Sequence, residues 1–263
     1  EANTLYHKSL DIFEQCGLKN TIDYLKVLNN LAQLYHCVGK LEESEEILNF
    51  IKRLKIEKKL VETSGYAITL DNIASLKQTR GLLEEACKFY QEALTIRKNI
   101  LGNEFTEYLR NERSLSRIAL NNEKRDAWLD YALSLNNIGN YFRLTANFVK
   151  AEKYLLESHE IRRYLCGENS IEYSNTLKNL GQFYLETAAY DKSKEFLENS
   201  LKIKGEILGK EHPEYLEGLN SIAVLMHSIG KYQEAELFFN SLIEITKPNK
   251  NKNLLNSFEC FVN

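Results

Sequence analysis

Apolar residues recur along this chain at helical spacing inside a phrase that itself returns five times. Each copy opens on a tyrosine (Tyr24, Tyr66, Tyr131, Tyr173, Tyr215), with steps of 42, 65, 42 and 42 residues between copies. A leucine follows four residues on, then two polar residues, an apolar one and a tiny one. Examples are Leu28-Asn29-Asn30-Leu31-Ala32 and Leu177-Lys178-Asn179-Leu180-Gly181. At about 100° per residue, Leu177, Leu180, Gly181 and Tyr184 share one side of a helix, and Asn175, Asn179, Gln182 and Glu186 share the other. The first helix of each copy is therefore amphipathic, and its tiny residue lets a neighbouring helix approach closely.

A helix-stop position follows at Gly39, Gly81, Ala146, Ala188 and Gly230, in the same register. Glycine suits the left-handed conformation that ends a helix. Five residues later a second helix carries a small residue (Ser44, Ala86, Ala151, Ser193, Ala235), and four further on a large one (Leu48, Tyr90, Leu155, Leu197, Phe239). Turn glycines Gly102, Gly167 and Gly209 complete the unit. Each unit is a helical hairpin that cannot bury both faces alone, so stacking of neighbours must supply the core.

The predicted architecture is all-α, a solenoid of antiparallel helical hairpins over residues 1–247. Repeats start near 24, 66, 131, 173 and 215, and residues 1–20 read as the second helix of a truncated repeat. The long step places an insertion at 109–130, because Tyr108 already stands one period after Tyr66. It is expected to be an additional helix, through Leu115, Ile118, Ala119 and Leu120, serving as a spacer or a partner-docking element with Trp128. Pro248 and Asn249–Asn253 read as a linker. Leu254, Leu255, Phe258 and Phe261 read as a capping helix or truncated repeat within 248–263. The opening Glu1-Ala2, without an initiator Met, suggests a piece of a longer protein.

Tiny residues at fixed positions of a hairpin, with aromatics between, resemble the tetratricopeptide-repeat (TPR) pattern. The 42-residue unit resembles its kinesin-light-chain type, on Leu28-Asn-Asn-Leu-Ala-Gln-Leu-Tyr35, Gly230-Lys-Tyr-Gln-Glu-Ala-Glu236 and Leu208-Gly-Lys-Glu-His-Pro213. That resemblance implies a right-handed superhelix whose first helices line a concave groove. Lys77 departs from it, standing where other repeats have Tyr35, Phe142, Tyr184 and Met226, so the second repeat is expected to pack less well.

Composition narrows function without naming it. A net charge of −3 argues against nucleic acid, which needs a basic footprint. No apolar run reaches the length of a membrane span. Five cysteines without a C-x-x-C pair read as small buried hydrophobes in a reducing, cytoplasmic setting, with cytoskeletal or ciliary assemblies as candidate locations. The histidines lack metal-ligand spacing, and no nucleophile motif occurs. Gly205–Lys210 is too short for a phosphate loop and follows a helix. No catalytic residue, metal or cofactor is expected. The run Lys52-Arg53-Leu54-Lys55 with Lys58-Lys59 reads as a solvated helix face, or else a dock for an acidic partner.

The candidate site is the polar stripe of the first helices. In line stand Asn30, Asn72, Asn137, Asn179 and Ser221, flanked by Lys26, Gln33, His36, Ser75, Gln78, Asn140, Arg143, Gln182 and His227. A carboxamide both donates and accepts, so such a ladder can pair with the backbone of an extended peptide, or bridge neighbouring repeats. The charge along it is mixed, unlike a clamp of clustered Lys and Arg. The expected function is a non-enzymatic scaffold or adaptor binding a protein segment. The alternatives are a component of a microtubule- or axoneme-associated assembly, contacting neighbouring subunits, and a regulatory module of a longer enzyme.

Overall fold

The structure, a computed structural model, describes residues 2–110 and 121–246. Among them lie twelve helices, falling into two compact units, Glu1–Ile138 and Gly139–Asn263. The first holds α1 (Ala2–Gln15), α2 (Ile22–Cys37), α3 (Leu41–Glu57), α4 (Ser64–Thr79), α5 (Leu83–Leu101), α6 (Asn103–Arg110) and most of α7 (Asn122–Leu144). The second holds the end of α7, α8 (Phe148–Cys166), α9 (Ile171–Glu186), α10 (Tyr190–Leu208), α11 (Pro213–Ser228) and α12 (Tyr232–Thr246). Consecutive helices pack as hairpins, and each second helix packs on the next first helix: α3 on α4 in one unit, α8 on α9 and α10 on α11 in the other.

The register tyrosines owe their place to helix caps. Thr21, Thr63 and Ser170 each accept a hydrogen bond from the backbone N–H of the tyrosine three residues on, at 3.4, 3.2 and 3.2 Å. His212 caps α11 through Nδ1, with Pro213 at the first helical position. Such caps contribute about 1 kcal/mol each. Gly39, Gly81, Ala146, Ala188 and Gly230 all adopt positive φ, as the register demands. The next amide reaches back five residues, as in Lys40 N–H to the Tyr35 carbonyl at 2.8 Å.

Within a hairpin the tiny and small positions meet. Ser44 donates to the Ala32 carbonyl and Ser193 to the Gly181 carbonyl, both at 2.8 Å. Beside them Leu48 and Leu197 are sealed in the core. Lys77 meets its non-aromatic neighbourhood differently from the stacked pairs Phe142–Tyr154 and Tyr184–Phe196. It pairs with Glu45 at 3.2 Å and Glu85 at 3.3 Å, while Arg80 takes Glu42 and Glu45. Ion pairs thus close the second hairpin where aromatic stacking closes others.

The long step has a local explanation. Tyr131 is the tenth residue of α7, whereas the other register tyrosines are third in their helices, so residues 122–128 prolong a first helix by two turns. Residues 111–120, with Leu115, Ile118, Ala119 and Leu120, lie outside the described residues, as does the tail from 247. Trp128, expected as a partner contact, is 0 % exposed and packs edge-on to Tyr108 and Tyr131, at 4.8 and 5.7 Å between ring centres. Burial closes it to any partner. The cysteines also depart from expectation: Cys16 and Cys37 are exposed, and Cys87 and Cys166 half-buried, because they sit on outer faces and at helix ends.

Candidate functional site

The polar stripe forms, but much of it is braced against itself. In the first unit α2 lies beside α4. Asn72 Nδ2 donates to Asn29 Oδ1 at 3.4 Å, and Asn29 in turn donates to the Leu25 carbonyl from a buried position. One repeat on, Asn137 reaches Asp71 in the same relation. His36 Nε2 sits 2.7 Å from Thr79 Oγ1, and burial pulls its imidazole below the usual range. Asn30 and Gln33 are exposed, and Lys26 is exposed beside Asp23 at 2.9 Å. Gln78 is half-buried, and its Oε1 has no partner among the described residues.

Between α2 and α4 the stripe opens into a notch of about 20 Å³. It is lined by Gln33, His36, Asn72 and Ser75, with Ala32 and Leu48 among the residues behind them. That volume holds one water or one polar group of a bound chain. In the second unit Arg143 binds Glu186 and donates to Asn140 Oδ1 at 3.4 Å. Asn179 and Gln182 are half-buried, and Ser221 bonds the Glu217 carbonyl of its own helix. His227 is exposed against Tyr232. Lys178 pairs with Glu217 at 2.9 Å, joining α9 to α11. The stripe charges expected to meet a partner are thus largely occupied by neighbouring repeats.

Two features escaped the reading of the sequence. Open clefts recur against the register tyrosines on the side of the second helices: about 600 Å³ at Tyr66, 230 Å³ at Tyr173 and 460 Å³ at Tyr215. The second feature is a line of buried cations. Lys55, Arg97, Arg162 and Lys204 are all at most 9 % exposed, and they recur at steps of 42, 65 and 42. The tyrosine steps carried the same signal. Lys55 therefore does not belong to a solvated face, although its neighbours Lys58 and Lys59 are exposed; Lys52 lies over the Phe89 ring at 4.6 Å.

Each cation leaves the last turns of a second helix; Lys55, Arg162 and Lys204 reach the first turns of the next first helix, and Arg97 reaches α4 of its own hairpin and α7 beyond it. Lys55 Nζ donates to the Gly65 carbonyl at 2.6 Å and Thr69 Oγ1 at 2.9 Å. Arg97 binds Asp71 at 2.5 Å and donates to Ser134. Arg162 donates to the Glu172 carbonyl at 3.4 Å, and Lys204 pairs with Glu214 at 3.1 Å. Burial pushes the Asp71 carboxyl up, against the pull of Arg97. Burial pulls the Lys55 ammonium down to about 8. These cations stitch one hairpin to the next.

Twelve helices paired this way, with a repeated close-packing position and repeated caps, define a helical-repeat protein. Family models described as tetratricopeptide repeat match residues 67–107, 130–204 and 172–247, and the chain belongs to that family. Its fold is similar to that of BtubC (BKLC) from P. vanneervenii, with a TM-score of 0.61 and 19% identity, over 93% of this chain and 87% of that one. It is also similar to a kinesin-light-chain-type protein of Podosopora anserina with nearly identical TPR-like repeats, at TM-score 0.57 and 16% identity, over 88% and 99%. No curated protein sequence matches the chain. Such repeats are generally protein–protein interaction modules without catalytic activity. Among the described residues no group of three or more His, Cys, Asp or Glu could hold a metal, and no helix is long and apolar enough to cross a membrane.

Proposed function

We propose that this chain is a non-enzymatic scaffold that binds an extended segment of a partner protein along the first-helix stripe. The observation that carries it is the α2–α4 notch, where Gln33, His36, Asn72 and Ser75 converge on space for one polar group. An extended chain offers a carbonyl or amide at regular intervals. Each such bond contributes about 0.5–1.5 kcal/mol, so several stripe positions must act together. Exposed Asn30 and Gln33 supply contacts not already committed to a neighbouring repeat.

A photo-crosslinking residue placed at Gln33, and separately at exposed Glu92 on α5, tests the reading in the native source. The scaffold reading expects one protein joined through position 33, through a single short segment, and not through position 92. Equal capture from both positions, or none from position 33 in a folded variant, sinks it. Replacing Asn72 and Asn137 by Ala separates recognition from bracing: loss of melting temperature without loss of capture assigns those two side chains to the internal brace alone.

A further inference from the structure

The residue just before each register tyrosine is acidic in four repeats (Asp23, Asp130, Glu172, Glu214) and glycine in one, Gly65. Glu214 shows what the acid does. Its Oε2 lies 3.1 Å from Lys204, whose side chain is 0 % exposed, while the Glu214 side chain is itself 38 % exposed. A carboxylate in this position thus spans from solvent to a sealed ammonium. At Gly65 that side chain is missing. A Cβ built there would sit in ordinary contact with Lys55 Nζ at 3.6 Å and Thr63 Oγ1 at 3.9 Å, without a clash. Lys55 keeps its charge with only a carbonyl and a hydroxyl for company. An ammonium carries three N–H groups, and the third has no acceptor among the described residues.

We infer that the place beside the Lys55 ammonium where Gly65 lacks a side chain is a binding site for a single carboxylate, supplied by an acidic side chain of a partner protein. A buried cation without a counter-charge is costly, so a carboxylate arriving here gains more than one meeting an exposed lysine. In the last repeat a Glu side chain at the equivalent position supplies that carboxylate. Asp130 accepts a hydrogen bond from Ser64, the residue before Gly65. Burial pulls the Lys55 ammonium down to about 8. The site is independent of the stripe, and its test does not require the stripe to bind anything.

The experiment follows the Lys55 titration by NMR through its Cε resonance in the whole chain. Sodium acetate is compared with sodium chloride at equal ionic strength, and the peptide Ac-Ala-Glu-Ala-NH2 with its Gln counterpart. Both carboxylates should raise the Lys55 midpoint saturably, by roughly one to three pH units, and leave exposed lysines unmoved. Gly65→Glu should show the raised midpoint alone and respond to neither. Asp130→Asn should not move it. A Lys55 midpoint indifferent to acetate overturns the site, as does a fall in Asp130→Asn, which would show the charge already met. A response to acetate but not to the Glu peptide overturns the assignment to a partner side chain.

Discussion

Replacing Gly181 by alanine tests the close approach on which each hairpin depends. Ala is the better helix former by about 1 kcal/mol, so on propensity alone the change should stabilise α9. The structure reverses that expectation. The new Cβ would lie 2.5 Å from Leu197 Cγ, 2.7 Å from its Cδ2 and 3.3 Å from its backbone nitrogen. Leu197 is 1 % exposed and its backbone is helical, so neither part can retreat freely. Overpacking of this kind costs about 1–3 kcal/mol, which leaves a net loss of up to about 2 kcal/mol. Gly139→Ala meets Leu155 at 2.9 and 3.0 Å and should lose less. Because a repeat array need not unfold in one step, the assay is hydrogen exchange read separately over α9 and α10, alongside urea denaturation. A double-mutant cycle with Leu197→Ala isolates the clash, since in that background Gly181→Ala should turn stabilising. If Gly181→Ala stabilises α9 by the full propensity increment with Leu197 in place, the helices have slack and the argument fails.

Arg97→Met should cost about 3–5 kcal/mol by leaving buried Asp71 without its partner, and pairing it with Asp71→Leu should recover much of that. Since burial raises the Asp71 carboxyl above its unfolded value, the penalty in Arg97→Met should shrink as pH is lowered and the group protonates; urea midpoints at pH 5 and 7 check it. Ala188→Gly should stabilise by about 0.5–1 kcal/mol, because Ala188 holds a φ of 56° where glycine is unstrained; thermal melting measures it. Lys55, lowered to about 8 from 10.5, imposes its cost while charged in the fold, so stability should rise between pH 8 and 10. Lys55→Met should lack that rise, as compared by exchange over α3 and α4.

Repeat length, helix-stop residues and close-packing positions were legible in the sequence because each is a local demand on one residue type. A tiny residue and a positive-φ residue announce themselves wherever they recur. Lys77 was legible as a departure, but its remedy was not, since Glu45 and Glu85 lie on two other helices. The stripe was legible as a face, and its bracing was not. Helical spacing says that Asn72 points away from the core of its own hairpin, and says nothing of Asn29 on the first helix of the preceding repeat. Trp128 misled because a lone tryptophan in an inserted segment has the same composition whether it faces a partner or Tyr108.

By itself, then, the chain determined that it is a stack of helical hairpins, because helix period and the residues that end helices are properties of neighbouring positions. Only the tertiary structure decided what happens between hairpins. Lys55, Arg97, Arg162 and Lys204 stand in one register like the tyrosines, yet each has its own partners, brought from residues ten or more positions away. Burial turns those four from surface charges into seams. At Gly65 the missing side chain leaves Lys55 held by a carbonyl and a hydroxyl, where Lys204 meets a carboxylate.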